Sequence, residues 1–78
     1  MWFVYILRCS DGYLYTGCTS DLDERLGRHN SGYVPATKLR LPVILITYIA
    51  FMEEHKAFAF EKYLKSGSGR AFINRHFL

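Results

Sequence analysis

Residues 3–17 read Phe-Val-Tyr-Ile-Leu-Arg-Cys-Ser-Asp-Gly-Tyr-Leu-Tyr-Thr-Gly, with aromatic and β-branched runs on either side of Ser10-Asp11-Gly12. Asp-Gly between such runs is the strongest short hairpin signal, because glycine supplies the left-handed backbone that a tight turn needs. Strands over 2–9 and 13–18 follow, and loop length sets their register. A two-residue turn at Asp11-Gly12 pairs Arg8 with Tyr15 and sends Tyr5 and Tyr15 to opposite faces. A three-residue loop, Ser10 to Gly12, pairs Leu7 with Tyr15 and Tyr5 with Gly17, so that both phenols share a face. A slip of one residue flips a whole face. The three-residue loop is the register we expect, with Gly17 leaving room for a ligand to approach the backbone.

Beyond the hairpin, Thr19-Ser20-Asp21-Leu22-Asp23 reads as a helix start, with Ser20 as N-cap and Asp23 three residues on. Asp21, Asp23 and Glu24 suit the positive end of the dipole, and Gly32 suits the left-handed position after the last turn. This places a helix near 20–31, with Leu22 and Leu26 on its buried stripe. At 100° per residue, His29 lies about 20° from Leu22 and Arg25 about 60° away on the same side. Both are therefore aimed back at the hairpin.

The loop 33–42 carries Lys38 and Arg40 as exposed candidates for phosphate contacts. Residues 43–51 are almost wholly apolar, which suits a central strand covered on both faces. Residues 53–65 read as a helix with Ala57, Phe60 and Leu64 inward. Glu61 falls on that stripe, where a carboxylate needs a reason. Ser66-Gly67-Ser68-Gly69 breaks the chain, and a last helix near 69–77 carries Phe72, Ile73 and Phe77 inward.

The chain has 78 residues, half of them apolar, with six Tyr, six Phe and one Trp. That length makes one domain with a thin margin of stability, and the apolar content excludes a disordered chain. The net charge of +3 is uneven. Residues 1–30 are net −1, whereas residues 55–78 are net +4, which favours an anionic partner slightly. Two cysteines without a CxxC pattern or a nearby Cys/His cluster point to a reducing compartment and no zinc site. In the expected register they fall on opposite faces of the hairpin. No basic n-region precedes the apolar start, and no run approaches the ~20 residues of a membrane span. The expectation is a soluble cytoplasmic protein with no membrane partner.

The candidate chemistry is spaced regularly. Tyr5 to Tyr15 is ten residues, Tyr15 to Arg25 ten more, and His29 follows one helical turn later. Strand tyrosines are ordinarily core or edge residues, and a phenol serves as a base only with a cation or metal nearby. Arg25 could grip a phosphate oxygen and His29 could relay a proton near neutrality. Glu61 is either paired with Lys65 or Lys62 or is a metal ligand, one carboxylate being enough for magnesium at a phosphate. Asn74 could orient Glu61 or a metal-bound water, or stand on the helix surface. Lys62, Lys65 and Arg70 are solvated or track a nucleic-acid backbone.

Together these residues resemble a GIY-YIG endonuclease domain of the small stand-alone bacterial type. Its first motif stands as Phe3-Val4-Tyr5 and its second as Tyr15-Thr16-Gly17. The helix signature is Arg25-x-x-x-His29, and the acid is Glu61 in AFAFEKYLKSGSGR. Phe and Val replace Gly and Ile of the first motif, and Thr replaces Ile of the second. Cys18 stands where some relatives carry a basic residue. The resemblance covers nearly all of the chain. It implies an α+β fold, a three-stranded antiparallel sheet flanked by helices. It also implies one divalent ion, Mg2+ or Mn2+, at Glu61 and the scissile phosphate. Water would attack in line, with Tyr5 as base or base-assistant and His29 drawing its proton; Tyr5 and Tyr15 remain alternatives for the base. Tyr15 and Arg25 would position and neutralise the phosphate. The implied substrate is DNA, branched or damaged, in repair or recombination, with targeting by a protein partner or self-association.

Overall fold

The computed structural model describes residues 1–78. β1 (Trp2–Arg8) and β2 (Leu14–Thr19) pair antiparallel, with Tyr5 opposite Gly17 and Leu7 opposite Tyr15. The loop is the three-residue one. The Cys9 amide donates to the Tyr13 carbonyl at 2.8 Å, and the Gly12 amide to the Cys9 carbonyl at 3.0 Å. Gly12 takes a φ of 88°, which a Cβ would strain.

α1 (Leu22–Asn30) follows, and its cap lies one residue later than expected. Asp21 Oδ1, rather than Ser20, accepts the Glu24 amide at 3.1 Å. The Thr19 hydroxyl explains the shift. It accepts from the Asp21 amide and donates to the Asp21 carbonyl, which keeps residues 19–21 out of the helix. Gly32 takes a φ of 80° just past the helix, as its position requires.

β3 (Ile44–Phe51) pairs antiparallel with β1, giving the order β2-β1-β3. The apolar run 43–51 is thus an edge strand, not the covered central one that its composition suggests. Ile44, Tyr48 and Ala50 are exposed, while Val4, Tyr5, Ile6 and Leu7 of β1 are buried. Chain direction accounts for this. Beside β2, β3 would have to pair in parallel; beside β1 it keeps the slightly more stable antiparallel ladder. An extra residue, Ile46, bulges β3 between the partners of Ile6 and Leu7, and such a bulge discourages further pairing at an edge.

The faces of β1 are covered by different elements. Tyr5 and Leu7 join Cys9 and Val43 in one core, closed by Leu22 and Leu26 of α1 and by Tyr15, Leu41 and Leu45. Val4 and Ile6 join Ala57 and Leu64 of α2 (Glu54–Leu64) and Ile73 of α3 (Gly67–His76) in the other. Cys9 and Cys18 are both free, one beside each core. α3 begins at Gly67, two residues before the expected start, because the Ser66 hydroxyl caps it by accepting from the Gly69 amide at 3.2 Å. Gly69 lets α3 approach α2 closely: a Cβ there would strike the backbone of Tyr63 and Leu64. No helix is long and apolar enough to cross a membrane.

Candidate active site

The hairpin register sends Tyr5 and Tyr15 to the α1 face. The Tyr5 ring lies over Gly17, where an added Cβ would overlap the phenol oxygen and Cζ. The room expected there for a ligand is filled by Tyr5 itself, so what Gly17 admits is the ring. Tyr5 is fully buried and Tyr15 is half-buried, with ring centroids 6.2 Å apart.

α1 brings the third ring. His29, fully buried, stacks edge-on with Tyr15 at 4.9 Å between centroids and lies 5.7 Å from the Tyr5 ring. Its Nε2 is 3.0 Å from the Tyr5 hydroxyl and its Nδ1 2.8 Å from Thr37 Oγ1. Burial pushes the Tyr5 phenol up to about 12; the neighbouring Tyr15 adds to the rise and Arg25 opposes it. Burial also holds His29 below its ordinary value, and the positive charges of Arg25 and Arg28 act the same way. Near neutrality the pair is therefore a protonated phenol facing a neutral imidazole. Arg25 stands beside them, half-buried, and its Nε is buried without any hydrogen-bond partner.

A cleft of about 490 Å³ opens along the free edge of β2 between Tyr15 on one side and α2 and α3 on the other. Tyr13, Leu14, Tyr15 and Thr16 line it from β2, with Lys65 from the end of α2 and Arg70 and Asn74 from α3. Tyr5 and Tyr15 pair across the ladder with Gly17 and Leu7, so Leu14 and Thr16 direct their amides and carbonyls away from β1, towards this edge. Tyr15 belongs both to the buried ring cluster and to the cleft wall, and so connects them.

Glu61 lies close by, with its side chain only 18% exposed and Oε2 held by Lys65 Nζ at 3.0 Å. Its charge and that of Arg25 both reach the Cys18 thiol, which burial raises; Glu61 and Glu54 add to the rise and Arg25 opposes it. The acid of α2 and the guanidinium of α1 thus flank β2 from its two faces. No group of three or more His, Cys, Asp or Glu side chains is gathered to hold a metal. The donor set fits an ion held by one carboxylate with substrate oxygens and water, not a cage built by the protein.

The remaining basic residues separate. Arg40 is less exposed than the sequence suggests: its guanidinium lies 4.1 Å over the Tyr13 ring and 3.5 Å from Asp11. Lys38 and Lys62 are exposed and line no part of the cleft.

The family model for the GIY-YIG catalytic domain matches residues 1–75. The chain belongs to the GIY-YIG family. It is 46% identical over 65 residues to the UPF0213 protein YsiG of Lactococcus lactis, matching 82% of this chain and 62% of that protein. It is 40% identical over 78 residues to a UPF0213 protein of Streptococcus agalactiae, matching 95% of this chain and 89% of the other. The chain thus spans less than two thirds of the first relative and most of the second. Its fold is similar to the solution NMR structure of the UPF0213 protein BH0048 of Bacillus halodurans, with a TM-score of 0.62 and 34% identity over 99% of this chain and 87% of that one. The three-stranded α+β architecture is that of a GIY-YIG domain, and the family is one of nucleases.

Two residues of this GIY-YIG domain escape a reading of the sequence. Thr37, fully buried behind His29, sits in a loop whose sequence has no periodicity to orient it. Tyr13, at the mouth of the cleft beneath Arg40, reads only as a turn-flanking aromatic.

Proposed function

We propose that this GIY-YIG domain is a metal-dependent endonuclease that hydrolyses phosphodiester bonds in DNA. One observation carries the reading: Tyr5, Tyr15 and His29 are gathered within 6.2 Å between ring centres, and Tyr15 opens into a cleft bearing Lys65, Arg70 and Asn74. Tyr15 is the phenol that meets the phosphate, because Tyr5 is sealed behind it. Arg25 takes a non-bridging oxygen; its buried Nε, without a partner in the protein, is a donor suited to an anion. Lys65, Arg70 and Asn74 hold the flanking backbone, with the more distant Arg40, Lys38 and Lys62 contributing contacts or field.

Tyr5 and His29 handle the proton. A phenol raised to about 12 does not ionise by itself near neutrality, so Tyr5 passes its hydroxyl proton to His29 Nε2 as it accepts one from Tyr15, the phenol on the cleft side, which takes it from the attacking water. A divalent ion at Glu61, Mg2+ or Mn2+, would supply Lewis-acid stabilisation of the charge that builds on the phosphate. Glu61 would release Lys65 to hold it, freeing a cation for the substrate.

A reducing, cytoplasmic setting fits the two free cysteines, and the substrate we assign is branched or damaged DNA in repair or recombination. The test is cleavage of labelled duplex, branched and single-stranded DNA with magnesium, manganese or EDTA. Loss in EDTA and in Glu61→Ala and Tyr5→Phe is expected; persistence of activity in both variants would overturn the assignment. The Glu61–Lys65 ion pair favours a second reading, a DNA-binding module with weak or lost catalysis. That reading predicts salt-dependent binding, no cleavage, and unchanged affinity in Glu61→Ala.

A further inference from the structure

His29 has two ring nitrogens, and the proton handling described above requires the one facing Tyr5 to be an acceptor. The other, Nδ1, lies 2.8 Å from the Thr37 hydroxyl. Within reach of that hydroxyl, at 3.5 Å, is the Val34 carbonyl, which can only accept. One arrangement satisfies every group. Thr37 O–H donates to Val34, Nδ1–H donates to Thr37, and the bare Nε2 accepts from the Tyr5 hydroxyl at 3.0 Å. The reverse order would turn the Thr37 proton onto Nδ1 and leave Nε2–H pointing at Tyr5. The buried Tyr5 hydroxyl proton would then lack an acceptor, because His29 Nε2 is its hydrogen-bond partner.

We infer that Thr37 is a positioning residue that fixes the His29 tautomer and thereby the direction of proton transfer from Tyr5. The inference rests on the nuclease reading for its catalytic consequence, though not for the tautomer itself. The loop is built to hold Thr37 still. Its start is tied to α1 by the Tyr33 amide on the Arg28 carbonyl at 3.0 Å, and its end to the hairpin by the Ser10 amide on the Arg40 carbonyl at 2.9 Å. Between them, the Thr37 and Lys38 amides both bond to the Val34 carbonyl at 3.0 Å. Thr37 and His29 are fully buried, so no solvent competes for Nδ1.

The tautomer is read from the ring nitrogen shifts of His29 in a nitrogen-15-labelled sample. The expected result is a pyrrole-like Nδ1 and a pyridine-like Nε2 in the natural protein, retained in Thr37→Ser and shifted towards Nε2–H in Thr37→Val. A proton on Nε2 in the natural protein would overturn the inference even if Thr37→Val fails to fold, as would an unchanged tautomer in a folded Thr37→Val. On DNA, Thr37→Val should lower kcat roughly 10- to 100-fold with KM unchanged, and Thr37→Ser should restore it. An equal loss in Thr37→Ser would mark the residue as packing alone. A protein that shows the expected tautomer and cuts no substrate would sink the nuclease reading and leave the tautomer assignment standing.

Discussion

The Tyr5 hydroxyl lies 3.0 Å from Nε2 of His29, and both side chains are closed to solvent. One comes from the middle strand and the other from the last turn of α1, 24 residues apart. Their bond ties the sheet to the helix at the point where proton handling is proposed. Because each is held in its neutral form by burial, the same contact makes the fold sensitive to pH at both ends of the scale.

At the alkaline end, Tyr5 is raised from 10.0 to about 12. Its contribution is full below pH 10, where both folded and unfolded chains keep the proton. It is lost as pH rises from 10 to 12, because only the unfolded chain ionises. Two units correspond to about 3 kcal/mol. Cys9 and Cys18, also raised by burial, act in the same direction. Urea unfolding from pH 8 to 12 should therefore show a steep decline, and Tyr5→Phe should remove the part of the slope above pH 10.

At the acid end the sign reverses. His29 is lowered from 6.5, so its contribution is complete above that value. It is lost as pH falls from 6.5 towards the lowered folded value, because the unfolded chain takes up the proton first. Unfolding curves between pH 7 and 4 should show this decline, and it should be absent in His29→Gln. A decline of equal size in that variant would mean that other groups carry it.

Gly17→Ala inserts a methyl group into the Tyr5 ring. Overpacking of this kind costs about 1–3 kcal/mol, and here it also displaces the phenol from His29. Combining Gly17→Ala with Tyr5→Leu should recover part of the loss, giving a clear coupling in a double-mutant cycle read by denaturant unfolding. Additive losses would contradict the contact.

The two glycines of the α3 start should part company. Gly69→Ala drives a Cβ into the Tyr63 carbonyl and the Leu64 backbone, and a loss of about 3 kcal/mol or more is expected because backbone cannot turn aside. Gly67 has open space around it. Gly67→Ala should raise stability by about 0.5–1 kcal/mol through reduced unfolded-chain entropy. Thermal unfolding of the two variants checks both.

Glu61 and Arg25 should separate stability from activity. Glu61→Gln is expected to lower metal-dependent cleavage at least about 100-fold while changing stability by less than about 1 kcal/mol, since Lys65 is largely exposed. Inorganic phosphate should raise the Tm of the natural protein by binding at Arg25, and not that of Arg25→Met. A phosphate effect of equal size in Arg25→Met would place the anion elsewhere.

How much of this was legible in advance depended on sequence distance. The hairpin register, with Tyr5 opposite Gly17, followed from Ser10-Asp11-Gly12 and the alternation beside it, because loop length and a period of two are local properties. The turning of Arg25 and His29 towards the sheet followed from helical periodicity with Leu22 and Leu26. The N-cap falls at Asp21, one residue beyond Ser20, because the Thr19 hydroxyl engages the Asp21 backbone through a contact that composition does not weigh. The edge position of 43–51 is not legible in its composition, since an apolar run says that a segment is a strand and not which neighbours it will have.

Tertiary structure alone decided three things. It filled the space above Gly17 with Tyr5, because only packing shows whether a gap serves a ligand or a side chain. It drew Arg40 onto Tyr13 and Asp11, and Glu61 onto Lys65, because long charged side chains choose among partners by position in space. Above all it set Thr37 behind His29, since an irregular loop has no period from which an orientation can be read. The amino-acid sequence by itself determined the hairpin, the helices and the inventory of reactive side chains, which are products of short-range rules. The joining of Tyr5, His29 and Thr37 into one buried hydrogen-bonded chain was settled by burial and by contacts that close only when distant segments meet.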